Sequence, residues 1–156
     1  MKNTRRQFIK QAGIAGIAFP SFVRSAYSSS PNSRLQHASI GLGNMGIRDF
    51  KEFLSHEPVD VVALCDVDSR RLAMAAELAP KARRYADWRE LLEKEHGRID
   101  SVNIATPDHM HATVAYHAIK NGWHVYCQKP MCHDVVEVRV LTELAAKKGG
   151  VTQLGT

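Results

Sequence analysis

Two periodicities alternate along this chain. Apolar runs of strand length fall at 37–42, 59–67, 82–85, 99–105, 124–127 and 151–154. Between them, apolar residues recur at helical spacing: Met45, Phe50, Phe53 and Leu54; Leu72, Ala75, Ala76 and Leu78; Trp88, Leu91 and Leu92; Val114, Ala115, Ala118 and Ile119; Val136, Val140, Leu141, Leu144 and Ala145. Helix stops are legible too, since Gly97, Asn121-Gly122 and Gly149-Gly150 follow the last turns and Pro80 lies just past the second helical segment. A strand apolar at every position, rather than at every second one, is buried on both faces, which is the condition of a parallel strand covered by helices. The alternation therefore predicts an α/β domain with a parallel sheet.

At 156 residues the chain has room for one domain, a domain taking roughly 100–200 residues. Its 44% hydrophobic and 24% charged residues exclude disordered, collagen-like and disulfide-scaffold classes. The net charge of +5 invites a nucleic-acid or membrane-surface reading until the charges are located. Through Ser28 the chain carries Lys2, Arg5, Arg6, Lys10 and Arg24 and no acid, whereas the rest balances 16 basic against 16 acidic residues. The surplus is thus an N-terminal feature, and no nucleic-acid partner is expected. A charged start, a short apolar run from Ala12 to Phe19 and a small-residue tail make residues 1–28 a signal segment too short in its apolar part to leave a stable membrane span. Thr4-Arg5-Arg6-Gln7-Phe8-Ile9-Lys10 resembles the twin-arginine export signal, which implies the twin-arginine machinery as a partner and a periplasmic or otherwise exported destination. Residues 29–36 read as a polar linker and 37–156 as the folded domain.

The first apolar run ends in Gly41-Leu42-Gly43-Asn44-Met45-Gly46, a G-x-G-x-x-G loop between a predicted strand and a predicted helix. Asp66 lies 20 residues after Gly46, at the end of the second run, which is the context that gives this pattern its meaning. Gly41 makes a tight turn, Gly43 lets a pyrophosphate approach the backbone, Gly46 packs helix on strand, and amides around Asn44 and Met45 at the helix start hold phosphate. Asp66 can accept the ribose hydroxyls of an adenosine, favouring NAD over NADP, although Arg70 or Arg71 could reach a 2′-phosphate.

Thr106-Pro107-Asp108-His109-Met110-His111 follows the fourth run and Gln128-Lys129-Pro130 the fifth, both at carboxyl ends of parallel strands, where such sheets bind ligands. Together with the glycine loop they resemble the N-terminal domain of the Gfo/Idh/MocA family over residues 36–156. The resemblance implies a Rossmann-like doubly wound sheet that binds NAD or NADP, with Thr106 and Pro107 along the nicotinamide and His111 nearby. It implies that Lys129 matches the lysine of the family's Glu-Lys-Pro motif and is the catalytic residue, with Gln128 and Pro130 beside the cofactor. A lysine there can polarise a substrate hydroxyl or help move its proton, and partial burial would lower its pKa toward that use. This chain departs from the motif in carrying Gln128 for Glu, which removes a counter-charge from Lys129.

The resemblance further implies an oxidoreductase acting on a sugar, cyclitol or sugar derivative, with an NAD-using glycoside hydrolase and a non-catalytic dinucleotide-binding protein as alternatives. The family's second α/β domain, which supplies much of the substrate pocket and the contacts of a homo-oligomer, is expected to be missing from a chain that stops after the sixth strand. His109 and His111 are expected as helix-start and site residues rather than metal ligands. Cys127 and Cys132 are too unlike a haem-attachment pair in spacing, and Cys127 too buried on its strand, to suggest haem or a disulfide; Cys65 reads as core.

Overall fold

The computed structural model describes residues 34–155, so the predicted export segment and residues 29–33 of the linker lie outside the described residues. The strands are β1 (Leu35–Ile40), β2 (Val59–Cys65), β3 (Arg83–Tyr85), β4 (Ser101–Ile104), β5 (His124–Cys127) and β6 (Thr152–Leu154). The helices are α1 (Asn44–Ser55), α2 (Ser69–Leu78), α3 (Trp88–Lys94), α4 (Asp108–Lys120) and α5 (Val135–Lys148). All strand pairs are parallel and lie in the order β3-β2-β1-β4-β5-β6. This is the parallel sheet expected from the alternating pattern, in the doubly wound arrangement that the resemblance implied. The chain leaves β1 in one direction and returns to its other side with β4, so the loops after β1 and β4 diverge and open a crevice at the carboxyl edge.

The strand ends differ from the apolar runs for local reasons. β1 begins at Leu35, because Leu35 and Gln36 pair with Val59 and Asp60, and so takes the last two residues of the predicted linker. It stops at Ile40 because Gly41 turns the chain at φ 87°. β2 stops at Cys65, leaving Asp66 and Val67 in the turn that leads to α2. β4 starts at Ser101, two residues inside its apolar run.

The two faces of the sheet are built differently. Beneath α3, α4 and α5, the strands contribute Ala38, Ile40, Ala63, Cys65, Val102, Ile104, Val125 and Cys127 to one apolar core with Leu91, Val114 and Ala118. On the opposite face, Phe50 of α1 and Ala75 and Ala76 of α2 pack with Leu42 and Leu64. Next to that second cluster, however, β1 and β4 bury His37, Ser39, Ser101 and Asn103, so the expectation of strands apolar on both faces fails there. His37 Nδ1 lies 2.7 Å from Ser101 Oγ and Nε2 3.1 Å from Asn103 Oδ1. Its ring stacks on Phe53 of α1 at 4.1 Å, and Phe53 meets Tyr126 of β5 edge-on at 5.7 Å. Burial lowers the His37 pKa to about 4, against an opposing contribution from the Asn103 hydrogen bond.

Candidate dinucleotide site

How each helix begins separates the site from the scaffold. α2, α3 and α5 start behind an aspartate that accepts a backbone N–H: Asp68 from Arg70 at 2.9 Å, Asp87 from Arg89 at 2.8 Å and Asp134 from Val136 at 2.6 Å. α1 starts behind Gly43 and α4 behind Pro107, neither with a side-chain cap. These two uncapped starts open on one cleft of about 730 Å³. α1 also has no acidic residue in its first turn, so its free amides and the positive end of its dipole are available to an anion.

The glycine loop is forced by sterics at two of its three glycines. Gly41 has φ 87°, and a Cβ there would stand 2.5 Å from the carbonyl oxygen of Ala105 on the neighbouring loop. At Gly46 a Cβ would run into the carbonyl of Gly41, so the third glycine lets the loop fold back on itself. Gly43 is different, being extended at φ −86° and ψ 156°, with the space beside it taken by the flexible end of Arg71, 2.5 Å from an added Cβ. Asn44 holds φ 34°, a left-handed conformation that asparagine tolerates better than most side chains. Asp66 is buried and ties this loop to the next: Oδ2 accepts the Leu42 N–H at 2.7 Å and Oδ1 the Asp68 N–H at 2.8 Å. Each oxygen keeps a second lone pair for a ligand hydroxyl.

From the residues singled out in the sequence, the cleft takes in Gly41, Gly43, Asn44, Met45 and Asp66 at one end. At the other it takes in Thr106, Pro107, His111, Gln128 and Lys129. Gly46 and Pro130 do not line it: Gly46 packs against the Gly41 carbonyl within the loop, and the Pro130 carbonyl faces His111. Arg70 does not join them, because its guanidinium turns outward to pair with Asp68 at 2.9 Å and is 87% exposed. Arg71, one residue on, lines the cleft instead. The turn after β3 adds Ala86 and the start of α3 adds Trp88 and Arg89, none of which the sequence marked as site residues.

The far end is braced by His111, fully buried in the first turns of α4. Its Nδ1 lies 2.6 Å from the Pro130 carbonyl and its Nε2 2.8 Å from the Thr106 carbonyl, so the ring ties together the loops after β4 and β5. Both ring nitrogens face carbonyl oxygens, to one of which a neutral imidazole can donate, and the ring stands as a strut between the two loops. Thr106 Oγ1 is buried with no hydrogen-bond partner among the described residues. Gln128 is buried and turns away toward α1, where its Nε2 donates to both oxygens of Asp49, at 2.9 and 3.2 Å. Lys129, ahead of a cis peptide to Pro130, is exposed, so the burial invoked from sequence is not supplied by the described residues. Burial, with lesser contributions from Asp66, Asp87 and Glu90, pushes Cys65 up to about 12, and burial, with a lesser contribution from Cys132, pushes Cys127 up to about 12, which disfavours the thiolate at both.

The arrangement fits a dinucleotide: an uncapped helix start for phosphate, a loop whose middle glycine has no backbone where a Cβ would stand, a buried acid with spare lone pairs and an unpartnered hydroxyl at the far end. It defines a dinucleotide-binding domain of the open, doubly wound type. The chain belongs to the oxidoreductase family with an NAD-binding Rossmann fold, GFO_IDH_MocA, whose pattern matches residues 35–156. It is 33% identical over 135 residues to a glycosyl hydrolase family 109 protein of Stenotrophomonas maltophilia, covering 80% of this chain and 29% of that one. It is 29% identical to D-apiose dehydrogenase of Paraburkholderia graminis, covering 74% of this chain and 30% of the relative. Its fold superposes on myo-inositol 2-dehydrogenase of Lactobacillus plantarum with a TM-score of 0.73 at 28% identity, covering 79% of this chain and 36% of that one. The chain thus spans about a third of the length of the proteins it matches.

Proposed function

We propose that this domain holds NAD, in preference to NADP, for hydride transfer to and from a carbinol carbon of a sugar, cyclitol or sugar derivative. The observation that carries the reading is the convergence of three loops, after β1, β4 and β5, on one cleft with an uncapped helix start at one end and Lys129 at the other. When bound, the cofactor would supply the hydride chemistry, and the protein positions and polarises. The α1 amides would hold the pyrophosphate, and Asp66 would accept from the ribose and disfavour a 2′-phosphate. Thr106 and Pro107 would border the nicotinamide, and Lys129, acting as the amine, would take up the substrate hydroxyl's proton as the carbinol is oxidised and return it in the reverse direction. The names of a dehydrogenase of apiose and one of inositol among the relatives support this substrate class. The arginine pair at Arg5 and Arg6 supports export by the twin-arginine route.

A second reading, glycoside cleavage with no net redox change, is favoured by the glycosyl hydrolase family 109 relative. One experiment separates them: a protein of the relatives' full length carrying this domain is given sugars, cyclitols and aryl glycosides. Hydride transfer predicts NADH formation that falls about 100-fold in Lys129→Met with NADH affinity retained. Release of free sugar without NADH would contradict it in favour of the second reading.

A further inference from the structure

The Gln128 side chain has only one chemically consistent orientation. Its nitrogen faces the Asp49 carboxylate and its Oε1 accepts the Lys129 backbone N–H at 3.2 Å, so flipping the amide would place oxygen against oxygen and N–H against N–H. Gly155 lies close beside the side chain, where an added Cβ would stand 3.0 Å from the amide carbon. A glutamate at 128 has no hydrogen to give Asp49 and would bring two carboxylates to about 3 Å, where both cannot ionise freely. The amide at 128 and the acid at 49 are therefore matched to each other. Asp49 in turn belongs to α1, the helix whose N-terminus opens on the cleft, and Phe53 one turn further on holds that helix over β5 through Tyr126.

We propose that Asp49 and Gln128 act as one positioning pair for Lys129, linking the helix that receives the phosphates to the turn that presents the lysine. The pair replaces the family's acid at 128 by an amide and places the negative charge one hydrogen bond away, on α1. The proposal rests on the dinucleotide reading for its effect on binding but not for its geometry. Beside the pair stand two titratable groups: Tyr126 on β5, whose phenol is raised chiefly by burial and further by Asp49, and Lys129 itself.

The test compares the whole chain with Gln128→Glu, Asp49→Asn/Gln128→Glu and Asp49→Ala. The readouts are the Lys129 backbone amide resonance and NADH affinity by fluorescence, each between about pH 5 and pH 8. In Gln128→Glu the Lys129 resonance should titrate, and NADH should bind about tenfold more weakly at the upper pH than at the lower, where one carboxyl carries a proton. The double variant restores the hydrogen bond in the opposite sense, with the amide donor now on α1 and the carboxylate acceptor on the turn, and should return affinity to within about twofold of the parent. Asp49→Ala keeps a good helix former at a half-buried position of α1 and should still move the Lys129 resonance. An unmoved Lys129 resonance in Asp49→Ala, or a double variant no better than Gln128→Glu, would overturn the pair. If the parent chain binds no NADH, the functional reading fails, and the Lys129 resonance decides the pair by itself.

Discussion

The two ends of the cleft are made by different means. The glycine end is local: one strand, six loop residues and one helix, its shape imposed by backbone contacts that leave no room for a Cβ at Gly41 or Gly46. The lysine end is assembled at long range, from a loop after β4, a turn after β5, a histidine strut on α4 and an acid on α1. Beneath them the sheet differs as well: the Leu42–Phe50–Leu64 cluster is apolar, whereas His37, Ser101 and Asn103 of β1 and β4 form a buried polar group, joined through Phe53 to Tyr126. An end held by sterics should therefore be insensitive to pH and intolerant of volume, whereas one held by polar partners should respond to charge.

The strongest response is expected at the first end. Gly46→Ala forces the new methyl into the Gly41 carbonyl and should cost at least about 3 kcal/mol, a fall in melting temperature of roughly 10 °C. A melting temperature unchanged by this substitution would remove the distinction between the ends. A comparable effect, but driven by pH, is expected in the buried polar group that β1 and β4 share beneath the cleft. His37 is neutral in the fold, with its pKa lowered to about 4 from 6.5, so the unfolded chain takes up the proton first. Stability is then full above about pH 6.5 and falls by about 3 kcal/mol as the pH drops toward 4. Denaturant melts at both pH values should show the loss, and His37→Gln should diminish it by a similar amount; an equal pH dependence in the variant would place the titration elsewhere. The weakest response belongs to Arg71, whose loss by Arg71→Ala should weaken NADP about tenfold and NAD by less than about twofold, measured by fluorescence titration. Equal losses for both would mean that the guanidinium meets a group the two cofactors share.

The same contrast explains what could be read from the sequence. The order of strands and helices followed from apolar runs and stops, because each is a property of a short segment. Gly41, Gly43 and Gly46 with Asp66 were legible because a left-handed turn, a close approach and an acid at fixed spacing leave marks in residue type. The choice between Arg70 and Arg71 was not, since both are arginines at a helix start and both pair with Asp68, Arg70 at 2.9 Å from the solvent side and Arg71 at 3.8 Å from the cleft side. Asp49 carried no signal at all: 79 residues separate it from Gln128, and an acid inside an amphipathic helix ordinarily faces water. The departure at Gln128 was visible as a residue change, but its reason was not, because it lies on another element. Lys129 matched a motif while its exposure depended on packing that no local pattern encodes.

Everything proposed for the cleft at the switch point depends on its being a dinucleotide site whose middle glycine is kept for the ligand rather than for the fold. Gly43 is the place to test it, because its backbone is extended and only the movable Arg71 guanidinium fills the space beside it. The decisive experiment is calorimetric titration of NADH into the chain and into Gly43→Val, with melting curves of both. A glycine kept for the ligand predicts a single site in the parent, affinity lost by at least about 100-fold in the variant, and melting temperatures within about 2 °C of each other. Unchanged NADH binding in Gly43→Val, or a variant that fails to fold, would contradict it.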